Sequence, residues 1–127
     1  MDDRNLVAVA EQAAATSRVI RGPIAGCTVK ADDGRVFLGC RLEYGDPALD
    51  QDPIDNGLAN GRVNGMRRAA RIGYYSPTGG RLPVLPAATL RRLAELAAPG
   101  LVVIFSPGSG DQVEKELGEL MAEAGIG

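Results

Sequence analysis

The sequence of 127 residues contains no histidine and only two cysteines, Cys27 and Cys40. Without histidine, the chain cannot form a Ser-His-Asp or Cys-His catalytic arrangement, or a zinc site with an imidazole ligand. Two cysteines cannot supply three thiolate ligands, and no cysteine follows Cys40. A zinc site would therefore need carboxylate ligands or both of these thiols.

Other residue classes are also scarce. Tryptophan is absent and aromatic residues make up 4% of the chain, so Ala, Val, Leu and Gly have to fill the core. No stretch approaches the ~18 apolar residues of a membrane span, and the acidic first residues lack the apolar region of a signal peptide. The net charge of −2 is not that of a typical nucleic-acid-binding protein. We expect a cytoplasmic protein with reduced, buried thiols that binds neither membrane nor nucleic acid.

The remaining composition is that of one globular domain. Apolar residues make up 45% and charged residues 24% of the chain, as in ordinary soluble proteins. The length suits one domain, and no internal repeat or low-complexity linker divides it. We predict a single domain over residues 1–127.

The first third of the chain predicts a helix followed by a β-hairpin. Apolar residues recur at helical spacing from Asn5 to Ile20. Two strand-like segments, Ile24–Val29 and Arg35–Glu43, flank the step Asp33-Gly34, which is a strong hairpin signal.

The middle of the chain predicts one long helix and one short strand. Asp52 is expected as the N-cap of a helix that runs from Pro53 to about Ile72 and ends at Gly73. In the connection after this glycine, a short strand is expected at Arg81–Leu85, although its proline is unfavourable within a sheet.

The last third predicts a helix, two strands and a closing helix. The helix begins at Pro86 or Ala87 and ends before Pro99-Gly100. The later elements are an apolar strand Leu101–Phe105, an alternating strand Gln112–Glu116 and a helix Leu117–Ala124. The resulting order, α-β-β-α-β-α-β-β-α, is that of a layered α/β domain with a mixed sheet.

Four segments, in this order and spacing, resemble the motifs of one family. Gly39-Cys40-Arg41-Leu42-Glu43 is similar to a G-C-N-x-E segment, and Arg68–Tyr74 is similar to the end of a helix that opens with a C-A-E zinc motif. Leu85–Thr89 is similar to a P-C-x-x-C segment, and Glu116–Leu120 is similar to a closing L-x-E-L-L helix. The chain resembles the small cytidine deaminases over nearly its whole length, which implies a layered α-β-α sandwich with a mixed sheet.

The resemblance places the zinc and catalytic positions on residues that cannot do this chemistry. Counted back from Gly73, the first zinc cysteine falls on Asn60 and the catalytic glutamate on Arg62, and the two later cysteines fall on Pro86 and Thr89. Proline has no ligand atom, and arginine does not deprotonate at neutral pH, so it cannot shuttle a proton. We expect no metal, no cofactor and no zinc-dependent deamination, and we assign no catalytic residue.

The resemblance also suggests what the altered pocket binds. In the family, the Asn and Glu of N-x-E hold the ribose, and these positions are Arg41 and Glu43 here. Two helix N-termini converge on the zinc in this family. Without zinc and thiolates, these N-termini, one of them expected near Asn60, and the Arg62 guanidinium favour an anion. Asn60 and Thr89 would add hydrogen bonds. The alternative is that Arg62 pairs with Glu43 or a loop aspartate and fills the space of the metal.

A repeat of small residues on the central helix suggests contact with another backbone. Gly57, Gly61, Gly65 and Ala69 recur every four residues, and each glycine inside a helix costs about 0.5–1 kcal/mol relative to alanine. Our interpretation is an interface in a homodimer or homotetramer. The alternative is packing against the chain's own sheet, which needs the same small face.

The sequence leads to three functional hypotheses. The first is a zinc-free, non-deaminating protein that binds a nucleoside, a nucleotide or another small anion. The second is a hydrolase-type enzyme with altered chemistry on a cytidine-like nucleoside, in which Glu43 or an aspartate acts as acid or base. The third is an interaction subunit that assembles with an active paralogue.

Overall fold

A five-stranded sheet and four helices make up the computed structural model, which describes residues 1–126. The helices are α1 (Asp3–Ala14), α2 (Pro53–Val63), α3 (Ala87–Leu96) and α4 (Leu117–Glu123). The strands are β1 (Gly26–Ala31), β2 (Val36–Cys40), β3 (Ala69–Tyr75), β4 (Ala97–Ser106) and β5 (Val113–Glu116). The strand order is β2-β1-β3-β4-β5, with β3 and β4 parallel and the other neighbours antiparallel. The predicted mixed α/β architecture is confirmed.

The helices cover both faces of the sheet. On one face, the Thr28 hydroxyl of β1 donates a 2.7 Å hydrogen bond to the Leu6 carbonyl oxygen of α1. The neighbouring side chains of Cys27 and Val29 point to the opposite face, where they meet Gly57 of α2. The main apolar core lies on the α2 face, where α3 contributes buried leucines and α4 packs against it. These layers form the α-β-α sandwich.

The predicted N-cap of α2 and the predicted hairpin turn are present in the structure, and α1 also begins at a side-chain cap. The Asp2 carboxylate accepts a 2.9 Å hydrogen bond from the Asn5 N–H and caps α1. Asp52 caps α2, with Pro53 in the first helical position. Gly34 has a φ of +91° in the turn between β1 and β2, which only glycine adopts without strain.

Helix α1 ends earlier than expected, at Ala14 instead of Ile20. The backbone of the following segment bonds to the residues just after β2. The Arg18 N–H donates to the Arg41 carbonyl, and the Glu43 N–H donates to the Arg18 carbonyl. A short backbone bridge to Leu42 therefore replaces the end of the predicted helix.

The prediction of one long helix from Pro53 to Ile72 was wrong. Helix α2 ends at Val63, a turn through Gly65 follows with a φ of +92°, and Ala69–Tyr75 forms β3 in the centre of the sheet. The alanine-rich start of this segment suits a helix locally, but β3 is paired with both β1 and β4. The strand expected at Arg81–Leu85 was also wrong, since that segment has no regular structure.

The interpretation of the small-residue repeat as an oligomer interface was also wrong. A Cβ on Gly57 would lie 3.0 Å from the Cys27 sulfur, and one on Gly61 would lie 2.8 Å from the Met66 methyl carbon. Both glycines therefore pack against the chain's own sheet and turn. Gly65 lies in the turn after α2, and the repeat does not continue along one helix face. A homo-oligomer therefore remains a prediction that the repeat of small residues does not support.

The two cysteines lie on different faces of the hairpin. Cys27 is fully buried on the α2 face, and burial raises the pKa of its thiol well above the ordinary value. The half-buried Cys40 lies on the α1 face, with its sulfur 3.8 Å from the Thr16 carbonyl oxygen. Both are free thiols. Within residues 1–126, no helix is long and apolar enough to cross a membrane.

Candidate functional site

A pocket of about 310 Å³ lies between the loop after β2, the N-terminus of α2 and the start of α3. Its size falls at the lower end of the range for small-molecule sites. The charged side chains that line it are Arg41, Glu43, Asp50, Asp52, Asp55 and Arg92. Pro86 and Thr89 complete its α3 side.

Asp52 is nearly buried at the floor of this pocket, with 6% of its surface exposed. As the N-cap of α2, it accepts a 3.0 Å hydrogen bond from the Ile54 N–H, and it accepts a 2.8 Å bond from the Tyr74 hydroxyl. Burial disfavours the charged carboxylate and raises the pKa of Asp52 to about 6, although both hydrogen bonds oppose this shift. Asp52 therefore changes its charge close to neutral pH.

Asp55 connects the two helices that border the pocket. Its carboxylate accepts hydrogen bonds from the Asp52 N–H at 3.0 Å, the Thr89 hydroxyl at 3.2 Å and the Arg92 guanidinium at 2.9 Å. Asp52 and Asp55 together form a capping box. The Asp52 carboxylate accepts from the backbone N–H of Asp55, and the Asp55 carboxylate accepts from the backbone N–H of Asp52. The first turn of α2 is thus bonded to itself and to α3.

Glu43 is held by the backbone of the loop before β1. Its carboxylate accepts from the N–H groups of Ile20 at 2.5 Å, Arg21 at 2.6 Å and Gly22 at 3.1 Å. These N–H groups, those of Arg21 and Ile20 above all, hold the pKa of Glu43 below its ordinary value. Glu43 is a stable carboxylate at the pocket wall, and within residues 1–126 it forms no ion pair with Arg41.

The charges around the pocket are largely balanced inside the protein. Arg21 forms a 2.6 Å ion pair with Asp50, and Arg92 forms one of 2.9 Å with Asp55. Arg41 donates to the Pro23 carbonyl oxygen at 3.4 Å, and it makes no ion pair within residues 1–126. Four carboxylates and two guanidinium groups line the pocket, so its excess charge is not positive.

The structure brings together Arg41, Glu43 and Thr89 of the predicted site, but it separates Asn60 and Arg62 from them. Both lie near the C-terminal end of α2, because this helix begins at Pro53 and not near Asn60. The expected helix N-terminus at Asn60 was therefore wrong, and so were the motif positions counted back from Gly73. Because α2 begins at Pro53, a C-A-E motif at the start of this helix lies in the first turn and not near Asn60.

Asn60 and Arg62 have contacts of their own. The Asn60 amide donates a 3.4 Å bond to the Leu38 carbonyl oxygen on the edge strand β2, and Arg62 donates a 2.6 Å bond to the Met66 carbonyl oxygen. Within residues 1–126, Arg62 forms no ion pair, so the alternative in which it pairs with Glu43 or a loop aspartate was also wrong.

Sequence reasoning missed the role of Asp52, Asp55 and Arg92 at the pocket. The signals were present, since Asp52 and Asp55 have the spacing of a capping box. Thr89 and Arg92 are three residues apart on α3 and share one helix face. What the sequence did not reveal is that these two pairs meet.

The residues at the two helix N-termini do not fit a zinc ion. Pro86 has no ligand atom, and Thr89 uses its hydroxyl to bond Asp55. The carboxylates of Asp52 and Asp55 already accept hydrogen bonds from protein groups, and neither thiol lines the pocket. Among residues 1–126, no three or more His, Cys, Asp or Glu side chains are grouped so that they could hold a metal ion.

Comparison with known proteins gives one partial sequence match and several matches in structure. No family model matches the sequence. A urease accessory protein, UreD 1 from Methylobacterium radiotolerans, is 32% identical over 117 residues, which cover 87% of this chain. The chain spans only 38% of the length of that relative.

The structural matches extend over nearly the whole chain. Cytidine deaminase from Burkholderia pseudomallei has a TM-score of 0.87 and 24% identity, and the match covers 94% of this chain and 96% of that one. The enzyme from Mycobacterium tuberculosis has a TM-score of 0.79 and 24% identity, with 95% and 94% covered. The enzyme from Mycobacterium leprae has a TM-score of 0.80 and 18% identity, with 95% and 98% covered. The chain therefore has the cytidine deaminase fold, with residues at the helix N-termini that do not fit the zinc ion.

Proposed function

We propose that this chain is a zinc-free protein with the cytidine deaminase fold that binds a small polar ligand of the nucleoside type without deaminating it. The observation that carries the proposal is the pocket of about 310 Å³ at the N-termini of α2 and α3, whose lining lacks a zinc donor set. A pocket of this size with convergent polar groups is the usual form of a small-molecule site.

The charges favour a neutral, hydroxylated ligand over an anion. Arg92 is paired with Asp55, and the lining has more carboxylates than guanidinium groups. Arg41 is the basic side chain left to bond a ligand, and Glu43 adds a carboxylate that accepts hydrogen bonds from hydroxyl groups. A nucleoside offers such hydroxyls, whereas a phosphate would meet four carboxylates. A nucleotide or another small anion is the less favoured ligand of the same pocket.

Metal analysis and thermal unfolding with added nucleosides test this function. We expect zinc far below one ion per chain, no conversion of cytidine to uridine, and a higher melting temperature with cytidine or uridine. A ligand at 100 times its Kd adds about 2.7 kcal/mol to the free energy of unfolding. The variant Arg41→Gln should lose this shift, while Arg67→Gln, the same change at an exposed position outside the pocket, should keep it. Stoichiometric zinc, or no shift with any nucleoside, would contradict the proposal.

A second candidate function is acid–base catalysis in the same pocket. The observation that favours it is Asp52, a nearly buried carboxyl group at the pocket whose pKa is raised to about 6. Such a group exchanges protons readily near neutral pH. If the protein turns over a nucleoside, the rate should change with a midpoint near pH 6 and vanish in Asp52→Asn. Turnover that survives this substitution would exclude Asp52 as the acid or base.

A role as an interaction subunit is the third proposal. It is supported only by the accessory function named for the partial relative. Purification together with a second deaminase-like chain would support it.

A further inference from the structure

Side-chain hydrogen bonds connect helices α2 and α3 near their N-termini. Within residues 1–126, both side-chain hydrogen bonds between these helices end on Asp55. The donors are the Thr89 hydroxyl, which reaches one carboxylate oxygen at 3.2 Å, and the Arg92 guanidinium, which reaches the other at 2.9 Å.

We propose that Asp55 takes the place of the metal ion as the link between the N-terminal turns of α2 and α3. The resemblance to cytidine deaminases implies that both N-termini converge on zinc, and the residues present here do not fit zinc. Asp55 lies in the first turn of α2 and also accepts from the Asp52 N–H. It thus joins the N-cap of its own helix to two side chains of α3, as a metal shared by the two helices would.

The burial of this cluster makes the link effective. Thr89 is 1% exposed, and the side chain of Asp55 is 12% exposed, so water competes weakly for the carboxylate. Arg92 is 58% exposed, and its Coulomb attraction is therefore largely screened. The link depends mainly on charge-assisted hydrogen bonds to a largely buried carboxylate.

Asp55 is therefore a positioning residue for the pocket. The wall on the α3 side contains Pro86, Thr89 and Arg92, and the opposite wall contains Asp52. Loss of the link would let the start of α3 open away from α2 without unfolding the sheet. The inference does not depend on the ligand, because it concerns how the pocket is held and not what fills it.

Amide hydrogen exchange on the full chain tests this link. In Asp55→Asn, which keeps the shape of the side chain, we expect the exchange rates of residues 90–96 in α3 to rise about tenfold. This corresponds to about 1.4 kcal/mol, in the range of hydrogen bonds to charged groups. Exchange in α1 should change much less, because local opening does not require global unfolding. A metal chelator should leave the wild-type rates unchanged.

Three further variants separate the link from a general loss of stability. Arg92→Gln removes an exposed donor without disturbing the core and should loosen α3 to a smaller extent than Asp55→Asn, because the Thr89 bond to Asp55 remains. Arg92→Lys should keep more of the protection than Arg92→Gln. Asp33→Asn removes the exposed pair with Arg35 in the hairpin turn and should leave α3 unchanged. Unchanged exchange in α3 for both Asp55→Asn and Arg92→Gln, or loosening of wild-type α3 by the chelator, would overturn the proposal.

Discussion

Gly39→Ala is expected to lower the free energy of unfolding by about 3 kcal/mol or more, at the upper end of the cost of overpacking. A Cβ on Gly39 of β2 would overlap the Pro53 carbonyl oxygen and lie 2.8 Å from the Gly57 nitrogen. Both are backbone atoms of α2, which cannot rotate away as a side chain does. The helix would have to move off the sheet, which uncovers the core and displaces Asp52 at the pocket.

Equilibrium denaturation with urea measures this effect. Gly118→Ala is the matched control, because it makes the same change in α4, where a Cβ meets nothing within 4 Å. Alanine has the higher helix propensity, so we expect this control to be neutral or to gain about 0.5 kcal/mol. If Gly39→Ala were as stable as the wild type, the close approach of α2 to β2 would be incorrect.

Asp52→Asn is expected to remove a large part of the pH dependence of stability. The pKa of Asp52 is raised from 3.8 to about 6 in the folded protein, so the folded state binds this proton more tightly than the unfolded state does. This tighter proton binding stabilises the folded state. The stabilisation is fully present below pH 3.8 and is lost as the pH rises to about 6. Two pKa units correspond to about 3 kcal/mol. Because asparagine carries no charge, the variant should not lose this stability.

The measurement is the free energy of unfolding of both proteins between pH 4 and pH 8. We expect their stabilities to be similar near pH 4 and the variant to be the more stable above pH 6, since its amide oxygen can still accept from the Ile54 N–H. The control is Asp111→Asn, at an exposed carboxylate, which should keep the wild-type profile. Parallel profiles for Asp52→Asn and the wild type would show that Asp52 is ionised as readily as an exposed carboxylate.

Much of the fold follows from local signals in the sequence. The Asp52 cap, the turn at Gly34, helix α3 and the apolar strand β4 lie where short-range chemistry predicts them. Each of these features depends on neighbours within a few residues along the chain. The segment Ala69–Tyr75 is the largest departure from these local signals. Its alanine and arginine residues suit a helix, but pairing with β1 and β4 on both sides makes it a strand.

The candidate site was predicted less completely than the fold. Arg41, Glu43 and Thr89 reach the pocket as the resemblance implies. Asn60 and Arg62 do not, because the error in the end of α2 shifted the motif positions by about two turns.

By itself, the sequence determined which chemistry the protein lacks. With no histidine and only two cysteines, no three-ligand site of Cys and His can form in this chain. Only the tertiary structure decided what stands in place of such a site. Asp55 and Arg92 are 37 positions apart in the sequence, and they meet only because α2 and α3 pack on the same face of the sheet. The amino-acid composition is a property of the sequence alone, whereas a contact between side chains far apart in the sequence depends on the packing that brings them together.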